Sequence, residues 1–237
     1  MSLLADLFDD ASDLVDLTHP MTSGMPVWPT HPPFCQEVVE SFERGGVACN
    51  HRLCLSEHTG THFDAPVHFI RNAEAISDMP LRRFIGRMAT IDATDCEPDT
   101  LVEPERVLAF ERAHGDLARG DAVFFHFGWD RLWRDPADHP RVVADWPGLS
   151  AATCDLLVAR GVGIVGTDCL SVDRFSSQNF DAHNILLGAG ILIGENFAAL
   201  GTLPPYARLV ALPLAIAGGT GAPARALAVV PRQPGRS

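Results

Sequence analysis

Apolar residues fall into short runs of four to ten separated by Gly, Pro and Asp, which predicts many short strands with a few helices between them. Leu14 to Leu17 reads as a first short strand. Thr18 to Pro33 carries prolines at 20, 26, 29, 32 and 33 and must be loop. Phe34 to Phe42 and Val47 to Ser56 read as a strand pair turning at Gly45-Gly46. Pro80 to Ile85 reads as a short helix, Met88 to Ala93 as a strand, and Glu103-Pro104-Glu105 as the start of a helix running through Ala113. Asp121 to Phe127 is a buried strand with His126 at its end. A lone His in such a run is more often a hydrogen-bonded core residue than a ligand, so His126 is left out of any site. Residues 131 to 148, charged and proline-bearing, read as a surface excursion. Ser150 caps a helix that Gly161 ends. Val162 to Val165 is a strand, and the loop Thr167 to Asp173 after it reads as turn chemistry at Asp168 and Ser171. A helix spans Phe180 to Ala189 with Asp181 as its cap. Ile191 to Ile193, Arg208 to Ala217 and Ala224 to Val230 are further strands. Residues 2 to 10 read as an arm or short amphipathic helix, and the last residues as a polar tail. The division expected is an arm over 1–13, one domain over 14–230 and a tail over 231–237.

A length of 237 residues fits one large domain or two small ones, and 46% hydrophobic with 20% charged residues suits a folded, soluble protein with a sizeable core. The net charge of −12, from 18 Lys and Arg against 30 Asp and Glu, argues against nucleic acid or an anionic membrane as partner. No apolar run is long enough to span a membrane; the longest, Leu209 to Ala217, contains Pro213. The N-terminus lacks a basic stretch before an apolar run and reads as no signal peptide. Six cysteines without a Cys-x-x-Cys pair read as reduced thiols of a cytoplasmic protein. There is no internal repeat, P-loop or dinucleotide fingerprint.

Candidate chemistry sits in residues 57 to 68, Glu-His-Thr-Gly-Thr-His-Phe-Asp-Ala-Pro-Val-His. His58, His62, Asp64 and His68 lie at offsets 0, 4, 6 and 10. All offsets are even, so an extended chain would put all four on one side, whereas a helix at about 100° per residue would not. Gly60 and Pro66 disfavour either regular form throughout. The stretch therefore reads as a strand end entering a tight loop, with polar groups converging on one pocket; Asp64-Ala65-Pro66 also reads as a helix entry with Asp64 as its cap. Imidazole and carboxylate together suit Zn²⁺, Mn²⁺ or Fe²⁺. The His-Glu-x-x-His protease motif is absent, since Thr59 stands where its Glu would be. The Trp in Met25-Pro26-Val27-Trp28-Pro29 is either an aromatic plug on the core or a flat wall for an aromatic substrate.

The string His-Thr-Gly-Thr-His-Phe-Asp-Ala-Pro-Val-His resembles the signature of the metal-dependent cyclase family, which includes bacterial kynurenine formamidases and isatin hydrolases. The resemblance extends over roughly residues 14 to 230 and implies an α/β single domain with a mixed sheet of the swivelling β/β/α type. It implies one metal on His58, His62 and Asp64, and a second on Asp64, His183 and Glu195 with the Asp carboxylate bridging. His183 and Glu195 taken alone have ordinary explanations; the family's twelve-residue His–Glu spacing is what selects them. It further implies His68 as proton donor and acceptor, Trp28 as a substrate contact, one or two Zn or Mn ions per chain, and a homodimer or homotetramer. The activity implied is metal-dependent hydrolysis of an amide C–N bond, with an aryl formamide such as N-formylkynurenine as substrate. Alternatives are ring opening of a cyclic amide or lactone such as isatin, and a non-catalytic metal- or ligand-binding protein on the same fold.

Overall fold

The computed structural model describes residues 12–232; residues 1–11 of the arm and 233–237 of the tail read from the sequence lie outside these, while Ser12 and Asp13, read as the end of the arm, belong to the first strand. Twelve strands run β1 (Ser12–Asp16), β2 (Cys35–Glu40), β3 (Asn50–Cys54), β4 (His62–Asp64), β5 (Ile85–Asp92), β6 (Leu101–Val102), β7 (Ala122–His126), β8 (Gly148–Leu149), β9 (Ile164–Thr167), β10 (Leu192–Glu195), β11 (Tyr206–Pro213) and β12 (Gly221–Pro231). Among the described residues four α-helices lie between them: α1 (Pro104–His114), α2 (His139–Val142), α3 (Ala151–Arg160) and α4 (Asp181–Gly188). Eight strands form one sheet in the order β1-β12-β11-β5-β7-β9-β10-β4. Strands β5, β7, β9 and β10 are parallel to one another, and the remaining pairings are antiparallel. β4 also pairs with β12, so the sheet closes on itself. This is the mixed-sheet α/β domain that the strand-rich pattern and the family resemblance led us to expect.

Alternation along the strands sorts their apolar residues to two sides. Val123 and Phe125 of β7, Val165 of β9 and Ile193 of β10 face the helices, where they meet Val107 of α1, Leu157 of α3 and Leu186 of α4. Phe124, Ile164 and Leu192 face the inside of the closed sheet, with Met88 of β5, Leu209 of β11 and the alanines at 222, 224, 226 and 228 of β12. Packing inside relies on alternating large and small residues. Phe124 lies opposite Gly166, Gly166 opposite Gly194, and Gly194 opposite Phe63. A Cβ on Gly166 would come to 2.3 Å from the Phe124 ring and 2.6 Å from the Gly194 carbonyl oxygen. The glycine row thus makes room for Phe63, Phe124 and Phe197, whose centroids lie 5.4 Å (63 to 197) and 4.4 Å (124 to 197) apart.

Three expectations need correction. The segment from Pro80 is a 3₁₀ turn, Leu81–Phe84, and Ile85 already belongs to β5; a single turn is what remains once the apolar run pairs with β11 and β7. Residues 131 to 148 are more than a surface excursion. Leu132, Val142 and Trp146 are buried in the helix-side core, and the Trp146 indole N–H donates to the Asp173 carbonyl at 2.8 Å. The 34–56 strand pair exists as β2 and β3, but it stands out from the sheet as a separate two-stranded ribbon. Its alternation therefore does not mark a core face: Val39, Phe42 and Val47 are 60%, 64% and 91% exposed.

Gly166→Ala should cost about 1–3 kcal/mol through overpacking, read as a lower chemical-denaturation midpoint. Gly86→Ala in β5 is the control, because its nearest neighbour to a new Cβ, the Gly120 carbonyl oxygen, lies at an ordinary 3.9 Å. Equal midpoints for the two variants would contradict this account of the interior.

Candidate metal centre

β4 is three residues long and serves both sides of the sheet. Phe63 points into the closed interior, so His62 and Asp64 point to the opposite face. β10 lies antiparallel to it with Glu195 directly across from His62, which brings their side chains to the same face. His58 precedes β4 in a turn, and its ring lies against Gly221, where a Cβ would come to 2.7 Å from the ring carbon Cε1. After Ala65 the chain turns through the 3₁₀ segment Pro66–His68, which presents His68. Asp64 is therefore a strand residue and does not cap this turn; Ala65 occupies the cap position. His183 comes from the first turn of α4. Phe180, in a left-handed conformation, holds the N-cap position there in place of the expected Asp181, and Asp173 accepts the N–H groups of Ala182 and His183 at 2.9 and 3.2 Å.

The structure brings all seven residues selected from the sequence together. Asp64, 1% exposed, lies at the centre. Its Oδ1 is 2.7 Å from His58 Nδ1 and 3.3 Å from His62 Nε2, and its Oδ2 is 3.3 Å from His183 Nε2. Glu195 lies 3.5 Å from His62 Nε2 through Oε2 and 3.5 Å from His183 Nε2 through Oε1. The His68 ring stacks on His58 with centroids 4.0 Å apart. Trp28 lines the cavity of about 190 Å³ in front of these groups, with Phe69 and Phe180. His126 lies elsewhere, at the end of β7, where it forms with Asp130 and Asp168 a separate group of possible ligands. Ser171 Oγ accepts the N–H of Asp173, the turn chemistry anticipated for it, whereas Asp168 accepts the N–H groups of Phe127, Trp129 and Asp130 in the loop after β7, a long-range role that the turn reading did not include.

Each imidazole is oriented by a partner on its far nitrogen. His62 Nδ1 lies 2.8 Å from the Gly60 carbonyl oxygen, and His183 Nδ1 lies 2.6 Å from Asp173 Oδ2. His58 Nε2 lies 2.9 Å from the Thr220 hydroxyl, whose single proton goes to Glu57 Oε2 at 2.6 Å. That hydroxyl must then accept from His58. These partners assign the far nitrogen of all three rings as the N–H donor. In the neutral rings the near nitrogens consequently turn lone pairs toward the oxygens of Asp64 and Glu195. His62 Nε2 and Asp64 Oδ2 are buried without a hydrogen-bond partner. Lone pairs facing carboxylate oxygens in a buried space require positive charge between them. Borderline imidazole nitrogens and hard carboxylate oxygens together fit a divalent ion. The groups able to hold one include His62, Asp64 and Glu195, and separately His58, Asp64 and His68.

The titration behaviour points the same way. Burial would raise the Asp64 carboxyl, but the surrounding imidazoles of His183, His58 and His62 outweigh it, wherever they carry a proton, and hold Asp64 well below the usual range. Burial, then the Asp64 charge, pushes Glu195 well above it. Burial would lower His183, yet Asp173, Asp64 and Glu195 raise it to about 10, so without a metal a proton supplies part of the missing charge. Burial lowers His68 to about 4, leaving a neutral imidazole at pH 7.

Sequence reasoning missed Glu57, Asp173 and Thr220, the groups that hold the three rings. Thr220 is 162 residues from His58 and Asp173 ten from His183. No periodicity links such positions; only the closure of β4 onto β12 and the turn into α4 unite them.

Comparison with known proteins agrees with this geometry. The family model described as "Putative cyclase" matches residues 15–174. The kynurenine formamidase of Bacillus thuringiensis subsp. konkukian (strain 97-27) is 30% identical over 223 residues, covering 91% of this chain and 97% of that protein. An isatin hydrolase solved with the product analogue thioisatinate superposes with a TM-score of 0.90 at 27% identity, covering 98% of this chain and all of the other. A structure described as a potential metal-dependent hydrolase with cyclase activity reaches a TM-score of 0.74 at 25% identity, covering 94% of this chain and 100% of that one. With its signature, its closed mixed sheet and a family match across more than half its length, this chain belongs to the putative cyclase family.

Proposed function

We propose that this protein is a metal-dependent hydrolase that cleaves an amide C–N bond, with an aryl formamide such as N-formylkynurenine as substrate. The observation that carries this reading is the buried Asp64 carboxylate shared by three oriented imidazoles, beside a neutral His68 and an aromatic wall. His58, His62 and Asp64 would hold one ion, and Asp64, His183 and Glu195 a second, with Zn or Mn as the metal. A divalent ion held here would lower the pKa of a bound water to about 7 and would polarise a carbonyl oxygen.

The chain's own residues supply the rest. His68, neutral at pH 7, accepts a proton from the attacking water and returns it to the leaving amine nitrogen. Trp28, Phe69 and Phe180 present ring faces to an aryl group and limit water on that side of the cavity. Thr220, Gly60 and Asp173 keep the three imidazoles turned toward Asp64. The relation to a kynurenine formamidase supports the formamide reading, and the relation to an isatin hydrolase supports ring opening of a cyclic amide on the same site. The two differ in product, since only the first releases formate. A non-catalytic role fits less well, because a neutral base beside a set of metal ligands has no use in storage. Six free thiols and an acidic surface support a cytoplasmic setting, and the exposed apolar side chains of the β2–β3 ribbon support assembly with a second copy. Among the described residues no helix is long and apolar enough to cross a membrane.

Formate release from N-formylkynurenine, abolished by a chelator and restored by Zn²⁺ or Mn²⁺, is expected. A metal-loaded sample that opens isatin and releases no formate from the formamide would move the assignment to the cyclic substrate. His68→Ala should retain metal by elemental analysis and lose about 10²–10⁴-fold in kcat; full activity would remove His68 from the mechanism. Asp173→Asn should weaken metal binding about 10–100-fold in competition with a chromophoric chelator. Unchanged affinity would show that Asp173 acts only as a cap for α4.

A further inference from the structure

The β2–β3 ribbon joins the loop carrying Trp28 and His31 to the turn carrying His58. Its register places Cys35 directly opposite Cys54 at the base, where the two strands leave the body of the protein. Cys35 lies four positions after His31 and Cys54 four positions before His58. Side chains of directly paired antiparallel residues share a face, with Cα atoms about 4.5–5.5 Å apart, within the span of a disulfide. Cys54 is the direct cross-strand neighbour of Cys35. Partial burial, followed by this neighbour, raises the Cys35 thiol above its ordinary range. Cys54 is exposed and Cys35 partly so, whereas Cys154 and Cys169 are buried in the core. Neither thiol has a part in the chemistry described above.

We propose that Cys35 and Cys54 form a reversible thiol–disulfide pair that tethers the base of the ribbon beside the cavity. In the oxidising step one S–S bond forms and two S–H bonds break. The two electrons and two protons pass to a peroxide, which is reduced to two molecules of water. A thiol reductant reverses the step. Exposed disulfides are the labile, regulatory kind, and in a reducing compartment such a bond is transient. The structural effect is local. Closing the ribbon at its base fixes the separation of the two segments that bear His31 and His58, and it holds the ribbon's strands in register.

The test uses the full-length protein, reduced, desalted and treated with hydrogen peroxide, followed by peptide mapping without reductant. A Cys35–Cys54 linked peptide is expected, two hydrogens lighter than the reduced pair and lost on adding dithiothreitol. Cys35→Ser should abolish it. Exposed Cys49 is the built-in competitor: a link from Cys54 to Cys49, a link between chains, or thiols that stay free would overturn the proposal. Limited trypsin cleavage after Arg44, at the ribbon's tip, reads the tether itself. The oxidised protein should be cut several-fold more slowly than the reduced one, with Cys35→Ser insensitive to peroxide. Equal cleavage rates in wild-type protein would mean that the disulfide forms without holding the ribbon. None of these readouts depends on a metal or on turnover.

Discussion

The arrangement depends on one buried carboxylate. Asp64 has imidazoles at both of its oxygens and almost no solvent. A negative charge in such a place is tolerated only with strong compensation. The chain provides it from three directions, the turn before β4, β4 itself and the start of α4, while β10 adds a second carboxylate that deepens the need. Each has its own local cause. Period-two alternation turns His62 and Asp64 away from Phe63, strand pairing places Glu195, Gly221 leaves space for the His58 ring, and Asp173 anchors the helix that carries His183.

Closure of the sheet and construction of the site are consequently one event. β4 is short, yet it hydrogen-bonds to β10 on one edge and β12 on the other. Without it, Glu195 and Thr220 would have no common neighbour. The large-and-small packing of Phe124, Gly166, Gly194 and Phe63 sets how closely β4 approaches β10, and so how far His62 stands from Glu195.

Much of this was legible beforehand, for physical reasons that differ by residue. The two-residue spacing of His62 and Asp64 is a local property that survives because β4 is extended, whereas His58 reaches the same centre from a turn. Most core strands announced themselves through apolar alternation. His183 and Glu195 could not be selected by local pattern, and only the family likeness singled them out. The β2–β3 ribbon alternated like a core strand but lies in solvent, because alternation records two different faces and not which face is covered. Trp146 was hidden in a charged stretch, where the charges of 131 to 148 outweighed its three buried apolar side chains. The capping of α4 from Asp173 was missed because an aspartate at the helix start, Asp181, offered the simpler reading.

The groups around the cavity are divided between two kinds of support. Five of the side chains that face one another sit on strands, a tight turn and a helix, each locked by a hydrogen bond or by sheet pairing. Trp28 and Phe69 sit in irregular segments, and Phe180 at a helix cap in a left-handed conformation. An insertion or exchange in those segments alters what the cavity accepts while the strands behind it keep their spacing. Such a division lets one scaffold acquire new substrates by changing its loops, with no need to rebuild the centre they enclose.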